Sequence, residues 1–270
     1  MRIADQFLQC VVYIYPDEQS AVEGRWAGGS GFLVHSDWGD GVQRFAGDFL
    51  VTNRHVIEKI VDPVSKKPAD PIIRVNRVDG SVDPIRTNRN RWRSHPEGDD
   101  ISGLRFDGLS SEHELLAVNE SAFLNLSVVS NHNIGIGDHV AMIGRLVGHD
   151  GKVRNSPTAR FGSISMMPGD KFMNDFNHEQ ESFLVDCTSI PGFSGSPVFL
   201  MFPSTARSTE ALLTSVNWLL GIDWMHVNDK EPVRTKDGEK SKEGLFVKAN
   251  SGIAGVIPAW KITELLDRLK

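Results

Sequence analysis

Asp186-Cys-Thr-Ser-Ile-Pro-Gly-Phe-Ser-Gly-Ser-Pro-Val-Phe199 is the stretch whose reading decides the fold. It sets Ser194 between Gly192 and Gly195 and closes on a proline, Pro197. A glycine two residues before a serine lets the backbone curl until two N–H groups face one small space. Beside a nucleophilic hydroxyl, such a pair makes an oxyanion hole. The predicted donors are the N–H groups of Gly192 and Ser194, with that of Phe193 nearby. Serines flanked by glycines also occur in ordinary turns, so the weight of the pattern comes from two partners upstream.

The first partner is His55. The apolar run Phe49-Leu50-Val51 reads as a buried strand, and the chain turns at Thr52-Asn53 just ahead of the histidine. A histidine at a strand end stands beside a cleft; taken alone, it reads as well as a residue bonded to backbone. The second partner is Asp100, which opens the largely apolar strand Ile101–Phe106. Asp99 competes for the same part, but Asp100 directly precedes the strand. An aspartate there can accept the imidazole N–H, fix the tautomer and stabilise the imidazolium during proton transfer. The segment from His55 to Asp100 fits one small barrel, and enough chain follows for a second barrel carrying Ser194. An α/β-hydrolase would need the order Ser, acid, His and a glycine two residues after the nucleophile; position 196 is Ser.

With these residues in hand, the sequence resembles the trypsin-like (chymotrypsin-fold) serine peptidases, above all bacterial members such as HtrA protease domains and glutamyl endopeptidases. Thr52-Asn-Arg-His-Val56, Asp100-Ile101 and Ser194-Gly-Ser-Pro-Val-Phe199 are similar to the three segments that carry the family's triad. Gly28-Gly-Ser-Gly-Phe-Leu-Val34, Ala141-Met-Ile-Gly144, Gly221-Ile-Asp-Trp224 and Asn250-Ser-Gly-Ile-Ala-Gly-Val-Ile-Pro258 follow in family order. The resemblance implies an all-β fold of two six-stranded antiparallel β-barrels with a C-terminal α-helix. It implies serine endopeptidase activity through His55, Asp100 and Ser194, and a protein or peptide substrate. No metal or organic cofactor is needed for that chemistry, and the nine histidines show no His-Glu-x-x-His pattern.

Length and composition agree. A chain of 270 residues, 40% hydrophobic and 24% charged, can hold one all-β domain of two barrels. The expected organisation is an N-terminal barrel over about 1–107, a crossover over 108–122, a C-terminal barrel over 123–257 and a closing helix over 258–270. Strands are predicted near Val11–Tyr15, Gly31–His35, Phe49–Thr52, Ile72–Val78 and Ile101–Phe106, then His139–Gly144, Ala159–Ser165, Ser182–Asp186, Ser196–Met201, Leu219–Trp224 and Leu245–Val247. Ile262, Leu265, Leu266 and Leu269 fall at helical spacing after Pro258. Asp5 and Gln6 interrupt what a secretory signal would need, and no stretch approaches membrane-spanning length, so no membrane is expected. Cys10 and Cys187, placed in different barrels, read as free thiols, and a cytoplasmic location is expected.

Departures from the family pattern shape the remaining expectations. Phe193 replaces the aspartate by which digestive trypsins capture a freed N-terminus, so that activation is not implied. Asp223 stands where glutamyl endopeptidases carry a histidine; with Thr188 and Ser189 it forms a candidate substrate pocket favouring a basic side chain. Pro191 offers no N–H, but its stiff φ can hold the loop. The alternative to an active enzyme is a protease-fold binding module, silent until a regulatory partner or oligomer reshapes the oxyanion loop. Arg74, Arg77, Arg86, Arg89, Arg91 and Arg93, with Trp92, offer a surface for RNA or an acidic partner, although a solvated hairpin loop explains them more simply. The net charge of −6 argues against a dedicated nucleic-acid binder.

Overall fold

The computed structural model describes the chain apart from residues 1, 2, 4, 41, 42, 147, 149, 150, 191, 202–217, 235, 237 and 241–243. Strands β1 (Val11–Tyr15), β2 (Gly29–Gly39), β3 (Arg44–Thr52), β4 (Ile72–Asn76), β5 (Val82–Arg86), β6 (Arg93–Ser94), β7 (Ser102–Arg105) and β8 (Val118–Asn119) make one sheet. Its hydrogen-bonded order is β5-β4-β1-β2-β3-β7-β6, with β8 added parallel to β2. Short helices α1 (Asp5–Gln9), α2 (Glu18–Glu23) and α3 (Arg54–Glu58) interrupt it. In the second half, β9 (His139–Gly144) and β10 (Thr158–Met166) follow α4 (Leu126–Asn131), and β11 (Lys171–Met173) and β12 (Glu179–Glu181) form a separate hairpin. Strands β13 (Phe183–Asp186), β14 (Pro197–Leu200), β15 (Leu219–Pro232) and β16 (Phe246–Pro258) complete a closed barrel ordered β10-β13-β16-β15-β14-β9. Helix α5 (Ala259–Leu269) ends the chain.

The architecture is the chymotrypsin-like pair of β-units with a C-terminal helix, and the second unit is a closed six-stranded barrel. The first differs from the expected closed barrel: it is an eight-stranded sheet whose end strands β5 and β6 do not pair. Proline explains one end. Pro84 lies inside β5, where its missing N–H is tolerable only at an edge. The 3-10 turn Arg89–Arg91 and the buried ring of Trp92 lie between the two end strands along the chain.

Strand β1 shows why these strands read as unbroken apolar runs. All five of its residues are buried because both faces are covered. Val12 and Ile14 join Leu33, Leu50, Ile73, Val75 and Leu104 in a core private to the first sheet. Val11, Tyr13 and Tyr15 face the other way, with Phe32, Val34, Phe49 and Val51, into a core continuous with the second barrel. The alternation of β-residues thus fuses the two halves, and the candidate site forms where they meet.

Candidate active site

Strand β3 ends at Thr52, and the chain turns through Asn53 into α3, which carries His55. Asn53 Nδ2 donates to the Asp100 carbonyl at 2.9 Å, tying this turn to the segment ahead of β7. Both carboxylate oxygens of Asp100 then meet His55: Oδ1 accepts its main-chain N–H at 2.9 Å, and Oδ2 lies 2.6 Å from Nδ1. Asp100 is 1% exposed. An Nδ1–H held this way leaves Nε2 as the acceptor nitrogen.

Asp99 looks elsewhere. Its carboxylate lies 3.0 Å from His95 Nδ1, 3.4 Å from His178 Nε2 and 3.8 Å from Lys261 Nζ. Burial pushes the Asp99 carboxyl up and the His95 imidazole down. Glu264 of α5 lies 3.2 Å from the other His95 ring nitrogen and 3.0 Å from Lys261 Nζ. His95, Asp99 and Glu264 are close enough together to invite a metal-site reading. They fit one ion poorly, because the two carboxylates flank opposite ring nitrogens and an ammonium already bridges them.

The loop carrying Ser194 begins in a tight turn. The Phe193 N–H donates to the Ile190 carbonyl at 3.1 Å, and Gly192 has φ 98°. That left-handed φ is one glycine adopts without strain. This corrects the expectation for Phe193: its N–H closes the turn and is not offered to the cleft, and its ring is fully buried. Among the described residues, no acceptor takes the N–H of Gly192 or Ser194, and the half-buried Ser194 hydroxyl makes no hydrogen bond. Pro191, assigned a stiffening role above, lies outside the described residues.

Ser30 of β2 holds this loop from the opposite half. Its N–H donates to the Ser194 carbonyl at 2.9 Å and its hydroxyl to the Gly192 carbonyl at 2.9 Å. Arg145 N–H donates to the Ser30 hydroxyl oxygen at 3.1 Å, and Thr52 Oγ1 to its carbonyl at 2.7 Å. A methyl group added at the neighbouring Gly29 would touch both Val56 and the Ser194 carbonyl. That contact brings Ser194 beside the residue following His55. Sequence reasoning missed Ser30 as a site residue, although it sits in the singled-out Gly28–Gly31 motif. It also missed Gln180 and Asn174, which gave no local signal.

Of the candidate pocket residues, Thr188 is exposed and Ser189 is buried. Asp223 of β15 is only 1% exposed, so it backs the wall behind them and does not open to solvent. Its carbonyl accepts the N–H of Gly195, the residue after Ser194, at 2.9 Å. Its Oδ2 accepts the Ser189 hydroxyl at 2.8 Å, while Oδ1 is buried without a partner. Burial pushes this carboxyl up to about 8, against the opposing pull of the Ser189 hydrogen bond.

Part of the arginine stretch is tied up within the fold, while Arg86, Arg91 and Arg93 are exposed. Arg74 is fully buried and donates to the carbonyls of Gly151 and Lys152. Arg77 pairs with Glu112 and Asp83. Arg89 donates to the carbonyls of Ile60 and Glu58, Arg93 to that of Asn90, and Trp92 is buried on Thr87.

No protein-family model matches the chain, and no curated protein matches it in sequence. Solved structures do match in shape. The protease domain of MamO from Magnetospirillum magneticum, in its apo form, is similar at a TM-score of 0.55 and 14% identity over 98% of both chains. The HtrA-type protease AlgW with a tripeptide is similar at a TM-score of 0.54 and 19% identity; 98% of this chain is covered, against 61% of that one. A variant of AlgW with a decapeptide is similar at 0.53 and 17% identity, with 64% of its chain covered. At such identities the likeness establishes the fold: a trypsin-like, HtrA-like serine protease fold. No helix among the described residues is long and apolar enough to cross a membrane.

Proposed function

We propose that the chain is a serine endopeptidase that hydrolyses a protein or peptide substrate through an acyl-enzyme. The observation that carries this reading is the His55–Asp100 pair at 2.6 Å, its carboxylate buried, with the loop carrying Ser194 braced by Ser30 of the same half. In this mechanism His55 Nε2 takes the Ser194 proton as the oxygen attacks the peptide carbonyl. It then returns that proton to the leaving amine. Asp100 orients the ring and stabilises the imidazolium. The unclaimed N–H groups of Gly192 and Ser194 receive the tetrahedral oxyanion; loss of one such donor costs about 3–4 kcal/mol in the transition state. Thr188 and Ser189 line the pocket for the side chain ahead of the scissile bond, with Asp223 behind them; its carboxyl, pushed up to about 8, favours a basic side chain only as pH rises through that value.

One observation supports a second reading, a protease-fold binding module switched on by a partner or oligomer: the Ser194 hydroxyl is not bonded to His55. Catalytic hydrogen bonds are often loose without substrate, which keeps the peptidase reading ahead. A fluorophosphonate probe separates the two. Labelling of the wild type and none of Ser194→Ala is the expected result. A wild type that stays unlabelled, while cleaving no member of a peptide library, overturns the enzyme in favour of the binding module.

A further inference from the structure

The main-chain N–H of Asp100 is sealed from water, and its sequence neighbours offer it no acceptor. A buried amide left unpaired is costly, so its partner matters. That partner is Gln180 of β12, in the other half of the molecule, whose Oε1 accepts the N–H at 2.8 Å. Gln180 is 1% exposed and is fixed in turn by Asn174, whose Nδ2 donates to the same Oε1 at 2.7 Å and to the Gly98 carbonyl at 3.0 Å. Asn174 Oδ1 accepts the N–H groups of Phe176 and His178, shaping the tip of the β11–β12 hairpin. From that tip the Phe176 ring stacks under the guanidinium of Arg54, the residue before His55, at 3.8 Å. Asp175 reaches Lys59, just past α3, at 3.3 Å. One hairpin of the second half therefore grips the segments carrying both the imidazole and the carboxylate.

We propose that Gln180, held by Asn174, is a positioning residue for the His55–Asp100 pair, so that the β11–β12 hairpin sets their alignment. The inference rests on the peptidase reading for its kinetic consequence, though the hydrogen bond it concerns is measurable without turnover. Gln180→Leu removes the acceptor. Gln180→Glu keeps an acceptor oxygen and sacrifices only the Nε2 group, which has no partner, while adding a negative charge behind the pair. Glu179→Ala, an exposed neighbour on the same strand, is the control.

Proton NMR of the wild type should show a low-field resonance from the His55 Nδ1–H. It should broaden or move upfield in Gln180→Leu and persist in Gln180→Glu and Glu179→Ala. In kinetics, Gln180→Leu should lower kcat on the order of 10-fold or more with KM little changed. The acidic limb of its kcat/KM profile should move to lower pH, because a misaligned carboxylate stabilises the imidazolium less. In Gln180→Glu the added charge should move that limb to higher pH. A merely structural role would lower thermal stability in both variants without these opposite displacements. Wild-type resonance and profile in both variants overturn the inference and leave the peptidase reading intact. An unlabelled wild type that nevertheless loses the low-field proton in Gln180→Leu removes the peptidase reading and leaves the positioning role standing.

Discussion

Asp223 shows at residue scale what burial does to an acid. Its carboxyl is enclosed by protein, one oxygen takes the Ser189 hydroxyl, and its ordinary value of 3.8 is pushed up to about 8. The sign of the consequence follows from linkage. The unfolded chain gives up this proton at much lower pH than the folded one, so the contribution is whole in acid and is lost as pH rises through about 8. Asp223→Asn keeps an acceptor for Ser189 and carries no charge. Its unfolding midpoint should therefore gain on the wild type between about pH 4 and pH 8, and the proposed preference for basic side chains should be absent. Thermal unfolding across that range, with peptide profiling beside it, checks both; parallel stability curves would contradict the burial argument. Sequence spacing singled out His55, Asp100 and Ser194, and it could not show that the Phe193 N–H closes a turn. Asp99 and Asp100 are adjacent and chemically identical, and only tertiary contacts distribute them between His95 and His55.

At the scale of elements, helix α5 was the most legible piece. Ile262, Leu265 and Leu266 recur at helical spacing, and all are fully buried; Pro258 stands at the N-cap, where its missing N–H does no harm. Leu265 and Leu269 pack down on Gly103 of β7, so the terminal helix seals the strand that follows Asp100. Leu265→Ala should lower the unfolding free energy by about 2–5 kcal/mol. Urea denaturation should show that loss as a lower midpoint with an unchanged slope. Strand β16 was the least legible element, expected only over Leu245–Val247 and observed over Phe246–Pro258. Asn250-Ser251-Gly252 reads locally as a turn, yet pairing with β15 carries it through as strand, with register shifts and a φ of 86° at Gly252. Strands β6, β8, β11 and β12, at two or three residues each, are too short to leave a periodic trace.

For the molecule as a whole, the motif order and the unbroken apolar runs carried the fold, because strands buried on both faces advertise themselves in composition. What stayed hidden was the stitching between halves: Ser30 to Gly192, and Gln180 to Asp100, are contacts between residues 162 and 80 positions apart. Hydrogen bonds of that range have no local period, and a lone serine or glutamine in sequence looks like any other. The same shared core has an outcome for the sulfur atoms it encloses. Both cysteines are unpaired; burial pushes the Cys10 thiol up to about 12, and burial, with the nearby Asp223 carboxyl as the next cause, pushes Cys187 up to about 11. Only the thiolate form attacks electrophiles, so both groups are chemically dormant while the chain is folded. Iodoacetamide should add no mass to the native protein and two carbamidomethyl groups once guanidinium has opened it. A single adduct under native conditions would mean that one of these compartments breathes.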